Sequence, residues 1–323
     1  MKCINKKLVF AILATSLCMG LGGCSFKKPV KEYETTAYAK SIYEAPLYTD
    51  SLCVSSKDVS VVDPGFTTQP KAAALFDIDK KKIYYSDDLH EKVYPASTTK
   101  ILTALTAIKY ADVEDIVTVS KDGAAESFSA EAQVCGLKEG DQLSLKSLLN
   151  GLLLHSGNDA AVAIAEYVGG DVETFMSMMN ELAQELGATN THFVTPNGLH
   201  DEDHYTTPYD LYLIFNECIK YPEFMDIISE KSYTASVTDS SGGKRVITWS
   251  ATNFYAREET ALPEGADVIG GKTGYTDEAQ NCLILLDEDS DGKQYISIVM
   301  GAESKPLLYE DMTALINQIP NAK

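Results

Sequence analysis

The spacing of apolar positions changes several times along the chain. A nearly unbroken apolar run, "LVFAILATSLCMGLG", follows the basic start "MKCINKK", and residues 25–66 show no period. "KAAALFDIDKKKIYYSD" then gives two short strand-like runs around Asp77–Lys80, which predicts a hairpin. Helical spacing begins at "STTKILTALTAIKY", where Ile101, Leu102, Leu105 and Ile108 share a face. Three helical segments follow: "SLKSLLNGLLL", "NDAAVAIAEYVGG" and "DVETFMSMMNELAQELG". In the last, Val172, Phe175, Met176, Met179, Leu182 and Leu186 form one stripe closed by Gly187, a core-packing face rather than a groove. Thr207–Pro208–Tyr209–Asp210 reads as a capping box with proline at the first helical position, opening "YDLYLIFNECIKY".

The last third returns to strands. "ADVIGGKTG", "QNCLILLD" and "KQYISIVMG" are short apolar runs, and Ser290–Asp291–Gly292 is a turn between the last two. Two strands at the front and three at the back predict one five-stranded, mainly antiparallel sheet. The fold class is therefore mixed α/β, with helices flanking the sheet and a helical subdomain inserted at about 111–245. The boundaries read as a leader over 1–23, a tether over 24–66 and a single domain over 67–323. After the last strand comes only the helix-like "LLYEDMTALINQI", which predicts no separate C-terminal β domain.

The first 23 residues change the setting. A basic start, an apolar run too short for a comfortable span and a polar "SFKKP" beyond it read as an export signal. The run ends in Leu21–Gly22–Gly23–Cys24, which resembles the bacterial lipoprotein cleavage box, and that resemblance implies a lipid on Cys24. The expected location is the outer side of a cell membrane. A net charge of −20 excludes nucleic acid as a partner, because phosphate binding needs clustered Lys and Arg. Cys53, Cys135, Cys218 and Cys282 are widely spaced without a CxxC pair, so buried free thiols are expected and no disulfide is assigned.

Three short motifs carry chemistry. They are Ser97-x-x-Lys100 at a helix start, Ser156–Gly157–Asn158 in the helical part, and Lys272–Thr273–Gly274 on a late strand. Each alone is common; their order, spacing and context together are not. A helix start favours developing negative charge on Ser97, and Lys100, three residues on, shares its face. If burial and a second cation, Lys272, lower its pKa, Lys100 becomes a neutral general base. Capping of the helix by Ser97 is compatible with this role.

From about 70 to 303 the chain resembles the serine-type D-alanyl-D-alanine carboxypeptidases, the low-molecular-weight penicillin-binding proteins. The resemblance rests on "YPASTTKILTALTA", "LLNGLLLHSGNDAAVAIAE", "MNELAQELGATNTHFVTPNGLHDEDHYTTPYDL" and "GGKTGYTDEA". It implies the β-lactamase/DD-peptidase fold and hydrolysis of peptidoglycan stem peptides ending in D-Ala-D-Ala, with β-lactams as covalent inhibitors. It implies no cofactor and no metal. Ser97 is then the acylated nucleophile, Lys100 its base, Ser156 a proton relay, and Asn158 a holder of the substrate amide and of Lys100. Lys272, Thr273 and Gly274 belong to the carboxylate-binding strand, and the backbone N–H groups of Ser97 and Tyr275 to the oxyanion hole.

Two departures stand out: Gln280 where family members often carry glycine, and no arginine after "SIVMGA", which shifts carboxylate binding to Lys272 and Thr273 or to Arg245. Other readings are a DD-endopeptidase, which the motifs do not separate, and a catalytically silent wall-binding lipoprotein, which the intact motifs oppose. A β-lactamase would carry Glu-x-x-Leu-Asn between 159 and 271, and none occurs there.

Decoys are set aside on pattern. "GGKTG" fails as a phosphate loop because Ala266 stands where a glycine is required. His200–Asp201–Glu202–Asp203–His204 lacks HExxH and reads as a solvated loop. His155, beside Ser156, reads as the end of a helix rather than part of a Ser–His triad.

Overall fold

The structure, a computed structural model, describes residues 51–321, so the expected leader, Cys24 and the first part of the tether lie outside the described residues. The main sheet contains β1 (Ala72–Asp77), β2 (Lys82–Asp87), β7 (Asp267–Thr276), β8 (Gln280–Glu288) and β9 (Gln294–Ala302). Its order is β2-β1-β9-β8-β7, and every neighbouring pair is antiparallel, as the strand pattern predicted. Chain-terminal strands thus meet in the middle, β1 against β9.

β8 and β9 read as continuous apolar runs because both faces are covered. Cys282, Ile284 and Leu286 face one cluster; Leu283 and Leu285 face the other. The smaller cluster is closed by the C-terminal helix through Leu308, Met312 and Leu315. The larger holds the helical part, including Phe175 and Met179 of the methionine-rich stripe, which is core as expected. Fully buried side chains of this size each contribute about 1.5–3 kcal/mol relative to exposure.

Seven α-helices occur among the described residues: α1 (Lys100–Tyr110), α2 (Leu145–Leu153), α3 (Asn158–Gly169), α4 (Val172–Glu185), α5 (Pro208–Cys218), α6 (Pro222–Ser229) and α7 (Lys305–Ile316). The caps follow local chemistry. Ser144 Oγ accepts from Ser147 N, Asp171 from Thr174 N and Thr207 Oγ1 from Asp210 N, while Gly170 ends α3 with a φ of 81°. The box at Thr207 is one-sided: the Asp210 carboxylate accepts from Asn190 N and Thr191 Oγ1 instead, tying α5 to the loop before it.

Two boundaries need correction. Residues 51–66 belong to the body rather than to a tether. Cys53 is fully buried, its N–H donates to Tyr212 Oη at 2.9 Å, and Ser60 bridges Tyr85 beside β2. These contacts are isolated pins, so they leave no period in the sequence. The insertion is also not purely helical. It carries a second antiparallel sheet, β3 (Ile116–Thr118), β4 (Gln142–Ser144), β5 (Ser232–Thr238) and β6 (Lys244–Ser250), in the order β3-β4-β5-β6.

Candidate active site

The chain enters α1 through a 3₁₀ turn, Ala96–Thr99, that Pro95 precedes. Ala96 sits at a φ of 46°, a left-handed conformation that costs a non-glycine residue about 1–2 kcal/mol and turns the next residue outward. That next residue is Ser97. Its hydroxyl caps nothing. Lys100 Nζ lies 2.8 Å from Ser97 Oγ, 2.8 Å from Asn158 Oδ1 and 2.6 Å from the Asn197 carbonyl. The two latter oxygens only accept, so a neutral Lys100 amine spends both N–H bonds on them. Its lone pair is then left for the Ser97 hydroxyl. The compatible capping role expected for Ser97 is absent.

Burial lowers the Lys100 pKa to about 7, against smaller raising effects of Cys135 and Asp159. Lys272 is pushed well below the ordinary lysine range, by burial first and then by Lys100 and Lys305. The second-cation explanation for Lys100 is therefore corrected: loss of water, rather than Lys272, dominates. Lys272 Nζ donates to Ser156 Oγ at 2.9 Å and to the Thr273 carbonyl at 2.7 Å. A chain of polar groups thus runs from Lys272 through Ser156 toward the cleft that Ser97 faces.

The middle motif is held from below. Ser156 has a φ of 64°, and Asn158 N donates to the Gln133 carbonyl at 2.8 Å. The buried Asp159 carboxylate accepts from Cys135 N, Leu137 N and Ala160 N, fixing the 133–137 loop. Gly157 is required because a side chain there would overlap Cys135 Sγ. Gly274 has a similar reason: a Cβ would stand 2.9 Å from the Pro95 carbonyl and 3.1 Å from Ser97 N, so β7 comes within contact of the turn that carries Ser97 only as glycine. Tyr275, next on the strand, has its ring exposed with its hydroxyl on Asp277.

Ser97, Ser156, Asn158, Thr273, Gly274 and Tyr275 line one cleft of about 280 Å³. Lys100 and Lys272 lie buried beneath it. Sequence reading missed several of its parts. Asn197 and Gly198 come from the loop after α4, and Thr252 Oγ1 lies 2.7 Å from Thr273 Oγ1. Lys305, on the first turn of α7, also lines the cleft, with Nζ 4.7 Å from the Phe254 ring centre. Arg245 does not serve here: it is ion-paired to the buried Asp141 on the second sheet.

His204 also departs from its reading as solvated loop. It is 2% exposed and stacked on Phe193. Its Nδ1 accepts from Val194 N at 3.0 Å, so Nε2–H donates to Thr99 Oγ1 at 2.8 Å, and Thr99 Oγ1 donates to the Ala96 carbonyl. His155 lies 2.9 Å from Gln133 Nε2 through its own Nε2. Cys53, Cys135, Cys218 and Cys282 are all buried and free.

Residues 57–304 match the D-alanyl-D-alanine carboxypeptidase family. The chain is 34% identical over 238 residues to D-alanyl-D-alanine carboxypeptidase DacF of Bacillus subtilis, covering 73% of this chain and 58% of that one. It is 32% identical over 230 residues to the D-alanyl-D-alanine carboxypeptidase of Streptomyces sp. strain K15, covering 68% and 77% respectively. The crystal structure of the Streptomyces K15 DD-transpeptidase superposes with a TM-score of 0.71 at 28% identity, over 83% of this chain and 100% of that one. The chain spans 58% of the length of both the B. subtilis relative and DacD of Escherichia coli. With the fold shared and the family matched over most of its length, this chain belongs to the D-alanyl-D-alanine carboxypeptidase family.

Proposed function

We propose that this chain is a serine DD-carboxypeptidase that removes the terminal D-Ala from peptidoglycan stem peptides. The observation that carries this reading is the hydrogen-bond inventory of Lys100, which leaves an unprotonated amine only one free function, to take the proton of Ser97. Ser97 Oγ attacks the carbonyl carbon of the penultimate D-Ala, and its proton passes to Lys100 Nζ. Backbone N–H groups of Ser97 and Tyr275 receive the oxyanion. The C–N bond then breaks, and the departing amine takes a proton along the Ser156–Lys272 path, which the 2.9 Å contact between them supports. Water hydrolyses the Ser97 ester and restores the hydroxyl.

Asn158 holds Lys100 and the substrate amide. The terminal carboxylate sits at Thr273 and Thr252, and Lys305 supplies the exposed positive charge that no arginine provides. A β-lactam enters the same path and stays on Ser97. Export by residues 1–23, a lipid on Cys24 and attachment to the cell membrane complete the reading, supported by the sequence pattern at Leu21–Cys24.

Release of free D-Ala from a synthetic pentapeptide tests the activity: wild type is expected to release it and Ser97→Ala is not. Equal release by both variants removes Ser97 from the mechanism. Cys24→Ala is expected to move the protein out of the membrane fraction.

A further inference from the structure

A cavity of about 290 Å³ lies between α2 and α6, close in size to the catalytic cleft, and no residue lines both. Its apolar wall is Leu149 of α2, Ile227 of α6 and Val113 from the loop before β3. Its charged wall is one-sided. Glu223, Asp226 and Glu230 follow at helical spacing, so they share the side of α6 that borders the cavity, against Lys146 alone on α2.

Carboxylates on successive turns repel one another, and Asp226 and Glu230 stand at the C-terminal end of α6, which is itself negative. Among the described residues no ion pair relieves this: neither Lys146 nor any of the three carboxylates takes part in one. Asn150 lines the same cavity from α2 and is 1% exposed. Its Nδ2 donates to the Lys146 carbonyl at 2.9 Å, one turn back, while its Oδ1 has no hydrogen-bond partner among the described residues. A buried amide oxygen of this kind carries its desolvation cost uncompensated until a donor reaches it.

The three carboxylates are spread too widely to close on a metal ion. Among the described residues only Asp58, Asp87 and Asp88 bring three ligand atoms within 4.8 Å of one another. An organic cation suits the walls better. Its charge faces the carboxylates, an N–H reaches Asn150, and its methylenes rest on Leu149, Val113 and Ile227.

We propose that this cavity binds a primary ammonium on a short aliphatic stem, the ammonium donating to Asn150 Oδ1 beside the α6 carboxylates. A free alkylamine and the side chain of a lysine or other diamino acid in a peptide share that chemistry. The site is separate from Ser97 and does not depend on the reaction there.

Calorimetric titration of the purified full chain tests it with two ammonium probes, n-pentylammonium and Nα-acetyl-lysine methylamide. Their uncharged counterparts are n-pentanol and the same lysine derivative acetylated on Nε. The ammonium probes are expected to saturate one site, and the uncharged ones to bind about tenfold more weakly or less. Saturation by only one ammonium probe upholds the site and identifies its source as a free amine or a peptide. Asn150→Leu, which keeps the volume but removes the acceptor, is expected to weaken ammonium binding by about tenfold, with acylation of Ser97 by penicillin unchanged. If Asn150→Leu does not fold, the exposed pair Asp226→Asn and Glu230→Gln carries the same expectation. No saturable binding of either ammonium probe overturns the proposal. So does equal binding of the uncharged counterparts, or an affinity that these variants leave unchanged.

Discussion

Lys100 Nζ lies 2.8 Å from Ser97 Oγ, and its remaining hydrogen bonds end on the Asn158 side-chain oxygen and the Asn197 carbonyl, neither of which can donate. Burial favours the neutral amine, with a pKa of about 7. Acylation is therefore expected to rise with pH as Lys100 loses its proton and to level off above about 7. Lys100→Ala should abolish that limb and slow acylation by roughly 10²–10⁴-fold, the range for loss of a positioned base. Stopped-flow acylation by a chromogenic β-lactam across pH 5–9 reads both. A limb unchanged in Lys100→Ala assigns the titration to another group.

Gly274 packs against the turn that carries Ser97, with room for no Cβ beyond 2.9 Å from the Pro95 carbonyl. Gly274→Ala is expected to push β7 off that turn, destabilising by about 1–3 kcal/mol as overpacking does. Acylation should fall disproportionately, because the displaced strand carries Thr273 and the Tyr275 N–H. Thermal melts paired with acylation rates separate the two effects.

His204 is held neutral, its pKa lowered by burial from 6.5 to about 4. The unfolded chain binds the proton first, so this group's contribution to stability is complete above about 6.5 and is lost as pH falls toward about 4. The loss is roughly 3 kcal/mol. His204→Gln is expected to flatten that acid limb in denaturant titrations. It should also slow acylation, since the Thr99–Ala96 link that sets Ser97 is weakened.

Asp287 has the opposite sign. Burial raises its carboxyl pKa from 3.8 to about 7, with only Ser297 Oγ offsetting this through a 2.6 Å hydrogen bond, and Oδ1 has no partner among the described residues. The folded state holds the proton, so stability is complete below about 3.8 and falls as pH rises to about 7. That fall is roughly 4 kcal/mol. Asp287→Asn is expected to raise Tm above pH 7 and leave acylation unchanged. A Tm that drops at pH 8 contradicts the assignment.

Some of this architecture was legible in the sequence because its physical causes are local. β8 and β9 are buried on both faces and announce themselves as apolar runs, and the Thr207–Pro208 start of α5 carries a cap that local residue types signal. Ser97, Lys100, Ser156, Asn158 and Lys272 were legible through motif order, and the structure brings them together. The second sheet was not: β3 and β4 have three residues each, and β6 exposes alternate positions such as Val246. Asn197, Thr252 and Lys305 reach the cleft from loops and a helix start, through long-range packing that no spacing encodes. His204 misled because its charged neighbours are solvated while it is not. Gln280 also finds its reason only in three dimensions: it opens β8 at a φ of 58°, a conformation glycine adopts freely.

The most direct test of the account is the intact mass of the purified protein after exposure to benzylpenicillin, followed by mapping of the adduct. The account requires one penicilloyl group per chain, located on the peptide containing Ser97, and none on Ser97→Ala. An unmodified wild type, or an adduct mapped to any other residue, contradicts it.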